Sequence, residues 1–189
     1  MCLVRIVSGT LGGRVLRAPA GAATRPTSEK VREAVFNILD RKDVVAGRVL
    51  DLFAGSGAVG IEALSRGSTH ATFVDSGKLA LAACRANLRD LGVDDRATVH
   101  PGDAIAFAKR PLADDIEPWR LVFIDPPYAS DLAVRAAQAL PLASLTPDAV
   151  IVIEHDRRNA PPDTLGSLVR TDERRYGDTL ISFYEVPAP

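Results

Sequence analysis

Two short stretches of this 189-residue chain hold residue types whose spacing can do chemistry. One is Asp51-Leu52-Phe53-Ala54-Gly55-Ser56-Gly57-Ala58-Val59-Gly60, with Asp75 twenty residues beyond Gly55 and Asp103 further on. The other is Asp125-Pro126-Pro127-Tyr128. Gly55, Gly57 and Gly60 satisfy G-x-G-x-x-G, a loop whose missing Cβ atoms let backbone approach a ligand. An acid about twenty residues on also fits a dinucleotide site, so an NAD-linked oxidoreductase is a genuine competing reading. Asp51 shifts the balance. A carboxylate four residues before the first glycine would repel a pyrophosphate, whereas S-adenosylmethionine (SAM) brings a sulfonium and an ammonium that it attracts. The alternative for Asp51 is a turn or cap residue. Asp75 is expected to accept bonds from a ribose diol, and Asp103 from an adenine amino group or as a helix N-cap.

The second motif suits a planar NH2 group. Two prolines stop the strand and fix the turn, and their carbonyls can only accept. Asp125 and the Pro126 carbonyl would together take the two hydrogens of a conjugated amine. That favours pyramidalisation and frees a lone pair for in-line methyl transfer. Positioning of this kind can supply about 7–11 kcal/mol. Tyr128 would stack on the ring, worth about 1–3 kcal/mol. A guanine N2, an adenine N6 and a glutamine amide all present such a group, and the motif alone does not separate them. No metal is required: His70, His100 and His155 are isolated, without ligand spacing, and are expected to be surface or packing residues.

The elements that must hold these motifs follow from periodicity. Residues 3–7 and 14–18 are short β runs separated by glycines, which predicts a hairpin. Residues 18–26, rich in Ala, Pro and Gly, predict a linker, and 28–40 an amphipathic helix. From residue 48 strands and helices alternate: strands at 49–52, 71–74, 97–100, 121–124 and 149–153, helices at 57–65, 77–91, 103–109 and 131–140. Residues 167–171 and 179–186 predict a terminal antiparallel pair around Gly177. Alternation of this kind implies an α/β fold: a doubly wound, mostly parallel, Rossmann-like sheet of seven strands with an antiparallel terminal strand and a small N-terminal β-hairpin extension. Ligands then bind at the carboxyl ends of the strands. The domain boundaries expected are 1–26 for a basic hairpin arm and linker, and 27–189 for a methyltransferase domain.

Composition adds exclusions. Two cysteines, Cys2 and Cys84, make no disulfide framework. There is no apolar run of membrane-spanning length and no secretory leader pattern, so a cytoplasmic protein without a membrane partner is expected. Net charge is −1. Its distribution is uneven: residues 1–48 carry nine Lys/Arg against four acids, and the first 28 hold four Arg and no acid. Such asymmetry suggests a polyanion-binding arm, with Arg5, Arg14, Arg17 and Arg25 as expected phosphate contacts. A non-enzymatic RNA-binding module is the competing reading built on that arm alone.

Taken in order, Arg5-Ile-Val-Ser-Gly9, Arg25-Pro-Thr27, Val31-Arg-Glu-Ala-Val-Phe-Asn37, the Asp51–Gly57 loop, Gly60-Ile-Glu-Ala-Leu-Ser-Arg66 and Asp125–Tyr128 resemble the RsmD family of bacterial 16S rRNA (guanine-N2)-methyltransferases. The likeness spans residues 4–186. It implies SAM as methyl donor and a guanine of 16S rRNA as acceptor, within the 30S subunit or its assembly intermediate, with a monomer expected. It further implies that Asp51, Gly55 and Gly57 line the SAM pocket with Phe53, Ala54 and Ser56. Asp75 and Ser76 would lie at the ribose, Asp103 and Ala104 by the adenine, and Thr27 near the methionine end. Asp125, Pro126, Pro127 and Tyr128 would hold the target base. Asp75 stands where family members often carry Glu, which shortens the reach to the ribose.

Overall fold

The computed structural model describes residues 4–19, 28–127 and 131–187. Strands β1 (Val4–Arg5) and β2 (Val15–Leu16) pair antiparallel, Val4 with Leu16, as the expected hairpin. Helix α1 (Glu29–Arg41) starts at the N-cap Ser28, whose hydroxyl accepts from the Val31 amide, and places Glu29 in its first turn. Then come β3 (Arg48–Leu52), α2 (Ala58–Ser65), β4 (His70–Asp75), α3 (Lys78–Leu91), β5 (Ala97–Pro101), α4 (Ala104–Ala108), β6 (Trp119–Ile124), α5 (Leu132–Ala139), β7 (Leu145–Asp156), β8 (Thr164–Leu165), β9 (Leu168–Tyr176) and β10 (Thr179–Glu185).

One eight-stranded sheet runs in the order β5-β4-β3-β6-β7-β10-β9-β8. The first five strands are parallel and the last three antiparallel. The eighth strand is the two-residue β8 at the edge, too short to register in periodicity. Strand β7 is also longer than residues 149–153: it begins at Leu145 and carries Pro147 and Asp148 where the pairing with β6 slips from Trp119–Leu145 to Leu121–Val150. A proline is tolerated in a strand at such an irregularity. The central strands are apolar on both faces because helices cover both. One cluster joins Phe36, Leu39, Val49, Ile61, Phe73 and Leu88 on the side of α1–α3; the other joins Leu50, Val122, Ile105, Ala136 and Ile151 on the side of α4 and α5.

The hairpin has no core of its own. Val4, Ile6 and Leu16 are buried in the α1–α3 cluster. Its turn seats on the end of α2: a Cβ on Gly9 would lie 2.0 Å from the Ser65 carbonyl oxygen, and the Thr10 amide donates to that oxygen at 2.8 Å. Glu62 secures the rest. It is fully buried, accepts from the Val7 amide at 2.7 Å and the Ser8 amide at 3.0 Å, and faces Arg66 Nε at 2.8 Å and Arg32 Nε at 3.5 Å. Arg66 continues to Asp40 at 2.7 Å and lies over the Phe36 ring at 5.0 Å. Arg32, 2% exposed, also donates through Nη2 to the Arg5 carbonyl.

A buried charge stripped of its partner is costly, about 3–5 kcal/mol. Glu62→Ala leaves Arg32 uncompensated and releases two hairpin amides. A loss of unfolding free energy in that range is expected from denaturant titration; a loss below about 1 kcal/mol, the scale of an exposed pair, contradicts the clamp.

Candidate active site

The register brings the motifs together. Leu52 of β3 is level with Ile124 of β6 and with Val74 of β4, and Asp75 is level with Pro101 of β5. The loops at Phe53, Asp75, Gly102 and Asp125 therefore leave the same edge of the sheet from adjacent strands, each about 4.8 Å apart. Between β3 and β6 the strand order reverses direction in sequence, the crevice where doubly wound folds bind ligands.

The three glycines divide their work. Gly55 has φ +55° and opens on free space: a Cβ there would meet nothing within 4 Å. Gly57, at φ +82°, is the N-cap of α2, and a Cβ there would meet Cys84 Sγ at 2.8 Å. On Gly60 a Cβ would lie 2.3 Å from the Phe73 ring. Of the three, only Gly55 thus faces open space; the other two let α2 close down on α3 and β4. Phe53, half-buried, holds φ +65°, a strained conformation for a side-chain-bearing residue at the strand's exit. Ala54 is buried, and its amide donates to the Val74 carbonyl at 3.0 Å.

The carboxylates are held by backbone amides. Asp51, buried, accepts from Gly60 N at 3.0 Å, which makes it a remote cap for α2. Burial, reinforced by Asp75, pushes its pKa up to about 7, against the pull of the Gly60 bond. Asp75 accepts from Gly55 N at 2.8 Å through Oδ2 and from Gly77 N at 2.7 Å through Oδ1. A carboxylate has about four lone-pair sites, so two remain for a diol. Asp103 is exposed and caps α4 by accepting from the Ala106 amide at 2.7 Å; Ser76 is exposed and Ala104 buried. Asp125 is half-buried, Pro126 buried and Pro127 exposed. Thr27, Arg25 and Tyr128 lie outside the described residues.

A cationic, phosphate-free ligand fits this edge. Open space at Gly55 sits among acids already oriented by amides, and Asp51 can gain a counter-charge. Three further buried polar residues lie next to these loops. Asn87, buried on α3, accepts from the Arg17 amide at 2.8 Å and donates to the Arg17 carbonyl at 3.1 Å and to the Ser56 carbonyl at 3.0 Å. It ties the hairpin to the glycine loop. Arg32 and the buried Glu154 line a crevice with Asp125. The signal in the sequence is a polar residue on an apolar helix face: Asn87 among Leu81, Cys84, Leu88 and Leu91, and Arg32 beside Val35, Phe36 and Leu39.

The hairpin arginines are dispersed. Arg5 and Arg14 are exposed, while Arg17 pairs with Asp90 at 2.7 Å with both side chains about half exposed or more. The histidines are engaged in packing: His70 with Thr98 Oγ1 at 2.8 Å, His155 with Ser182 Oγ at 2.8 Å, and His100 beside Phe107 at 4.8 Å. Cys84 is buried, its thiol pushed up to about 12 by burial. Among the described residues no group of His, Cys, Asp and Glu could hold a metal, and no helix is long and apolar enough to cross a membrane.

A cation binding beside Asp51 favours its ionised form and so lowers its pKa. Affinity must then rise with pH up to about 7 and level off above it, by about tenfold between pH 6 and 8 for this one group. Calorimetric titration with SAM checks this. The part of the rise due to Asp51 should vanish in Asp51→Asn, and an identical profile in the two proteins rules out Asp51 as the linked group.

Comparison with known proteins gives the chain's family. The family model described as conserved hypothetical protein 95 matches residues 4–185. YlbH of Bacillus subtilis, named as a candidate rRNA methyltransferase, is 42% identical over 188 residues, covering 96% of this chain and 98% of its own. Ribosomal RNA small subunit methyltransferase D of Escherichia coli is 32% identical over 183 residues, covering 96% and 89%. The solved structure of yhhF from Escherichia coli, described as a methyltransferase, superposes with a TM-score of 0.84 at 30% identity over the whole of both chains. By the span of the family model and the identity to these relatives, the chain belongs to the RsmD family.

Proposed function

We propose that the protein transfers a methyl group from SAM to the exocyclic N2 of a guanine in 16S rRNA, within the 30S subunit or its assembly intermediate. The observation that carries this reading is the adjacency of two loops on neighbouring strands: Asp125-Pro126 after β6 and the Asp51–Gly57 loop after β3. One loop offers acceptors to an NH2 group, and the other offers a negatively charged, phosphate-free cradle. The relatives named as rRNA methyltransferases support the same substrate class.

When bound, SAM would supply a methyl group carried on its sulfonium sulfur, open to attack by a nitrogen lone pair as the S–CH3 bond breaks and the neutral thioether leaves. The chain's own residues do the rest. Gly55 and Ser56 present backbone to the ligand, Asp75 would accept from the ribose hydroxyls, and Asp103 from the adenine amine with the oxygen its cap leaves over. Asp125 and the Pro126 carbonyl would hold the two hydrogens of the acceptor amine, with Tyr128 on the ring. The lone pair then lies on the face away from both acceptors. Thr27 would complete the methionine end. Arg5, Arg14, Arg17 and Arg25 would bind rRNA phosphates, as part of a 1–26 arm carried by a 27–189 catalytic domain.

Incubating the protein with isotopically labelled SAM and undermethylated 30S subunits, followed by mass spectrometry of 16S nucleosides, should yield N2-methylguanosine. Asp125→Ala should lower the rate by about 10²–10³-fold, the cost of losing one preorganised hydrogen-bonding group in a transition state. Label appearing in N6-methyladenosine or in protein would overturn the reading. For the arm, Arg14→Ala should weaken rRNA binding and reduce the log–log salt slope by about 0.7–0.9; an unchanged slope removes Arg14 from the interface.

A further inference from the structure

A loop fits a ligand best when its backbone is fixed before the ligand arrives, and the glycine loop is fixed from outside itself. Asp75 holds one side, accepting from the Gly55 amide at 2.8 Å. The other side rests on α3. A Cβ on Gly57 would lie 2.8 Å from Cys84 Sγ, and one turn further along α3 Asn87 donates through Nδ2 to the Ser56 carbonyl at 3.0 Å. The Ser56–Gly57 peptide is thereby held at both polar ends, because its N–H, on Gly57, donates to the Ala54 carbonyl at 2.8 Å. Asn87 is 2% exposed and spends the rest of its amide on the hairpin. Nδ2 also donates to the Arg17 carbonyl at 3.1 Å, and Oδ1 accepts from the Arg17 amide at 2.8 Å. Only one orientation of the side chain meets two carbonyls with hydrogens and an N–H with an oxygen. An Asp here would set an oxygen against the carbonyls, and an apolar residue would leave all three bonds unmade.

We infer that Asn87 is a positioning residue for the methyl donor: it fixes the Ser56–Gly57 peptide beside the open backbone at Gly55, and through it the hairpin becomes part of the cofactor site. This rests on the proposed reading of the Asp51–Gly57 loop as the place where SAM binds. An asparagine that only fastened the hairpin would need the two Arg17 bonds and no more. The third bond, to Ser56, reaches 31 residues along the chain and serves the loop. Gly55 at φ +55° and Gly57 at φ +82° leave that loop free to take other shapes. Such freedom weakens binding unless the protein has already removed it. Asp75 removes it on the Gly55 side and Asn87 on the Ser56 side. The Arg17 bonds contribute to the same end, since they hold the Asn87 amide in the one orientation that serves Ser56. By linkage, SAM on the loop then steadies the Arg17 amide as well.

Calorimetric titration with SAM tests this. Asn87→Ala should bind SAM about tenfold more weakly, the scale of one hydrogen bond lost from a preorganised site. The control is Ser65→Ala. Ser65, buried at the end of α2, accepts from the Leu11 amide at 3.0 Å and donates to the Ser8 carbonyl. Its loss loosens the hairpin at the turn without touching the glycine loop, so SAM affinity should stay within about twofold of the wild type. Melting temperatures establish that the variants fold. A folded Asn87→Ala with wild-type affinity overturns the inference, and so does an equal loss in Ser65→Ala. Should Asn87→Ala not fold, amide hydrogen exchange of the wild-type protein, followed by NMR, decides the matter. Saturating SAM should slow the Arg17 amide at least about threefold more than the Thr10 amide, which bonds Ser65 instead. Equal slowing of the two overturns the inference. Asp75→Ala separates this outcome from failure of the underlying reading. Wild-type SAM affinity in Asp75→Ala defeats the glycine loop as the cofactor site, whereas a loss there without one in Asn87→Ala defeats only the role of Asn87.

Discussion

The arrangement of this molecule turns on one buried anion. Glu62 has no solvent exposure, and a carboxylate in that position survives only if paired and hydrogen-bonded on nearly every side. Its partners come from three elements: the hairpin through the Val7 and Ser8 amides, α1 through Arg32, and the end of α2 itself through Arg66. Helix α2 starts at the glycine loop, and α1 carries Arg32 to the crevice beside Asp125. The clamp that fixes the hairpin therefore also ties the helix that starts at the glycine loop to the helix that reaches the crevice beside Asp125. A mutation at Glu62 would be felt at the loop and at the crevice, although Glu62 touches neither.

At the edge itself, negative charge is concentrated and then tethered. Asp51, Asp75 and Asp103 each accept from a backbone amide, so their oxygens are oriented before any ligand arrives. Preorganisation of this kind lowers the entropy lost at binding. It also carries a tension. Asp75 adds to the cost of ionising Asp51, a cost set first of all by the burial of Asp51. A sulfonium or ammonium relieves that tension, while a pyrophosphate would add to it. The competition between SAM and NAD, open at the level of the glycine spacing, is decided by the relatives named as methyltransferases, and the local charge accords with them.

Periodicity recovers the order of the elements because the central strands are uniformly apolar and the helices have one apolar face. It fails where local sequence and tertiary context disagree. Thr146-Pro147-Asp148 looks like a strand breaker, yet it rides the irregular start of β7, where the register with β6 slips and no regular ladder bond is demanded of the proline. The edge strand β8 is only two residues long. At the site, spacing identifies the acids and glycines but not their division of labour. Gly60 carries no sign that it exists for the Phe73 ring rather than for a ligand, and for Asp51 a cap is only the alternative to a ligand contact, whereas the structure shows it capping α2. Arg32 and Asn87 show only as polar residues on apolar helix faces, and what they and Glu62 hold escapes such reading because those hairpin backbone groups lie 27 or more residues away in sequence, beyond any local rule.

The hairpin's basic charge takes on a different meaning once its attachment is seen. On the proposed reading Arg17 contacts an rRNA phosphate, yet in the free protein it is paired with Asp90. That pair is exposed on both sides, so it is worth no more than about 1 kcal/mol and yields readily to a phosphate. The backbone of Arg17 is held quite differently, by two bonds to the buried Asn87, whose amide also grips the Ser56 carbonyl of the glycine loop. The side chain can therefore change partners while the main chain stays in place. A hairpin built this way can engage RNA without loosening the cofactor loop, which a freely hinged arm joined only through its linker could not guarantee.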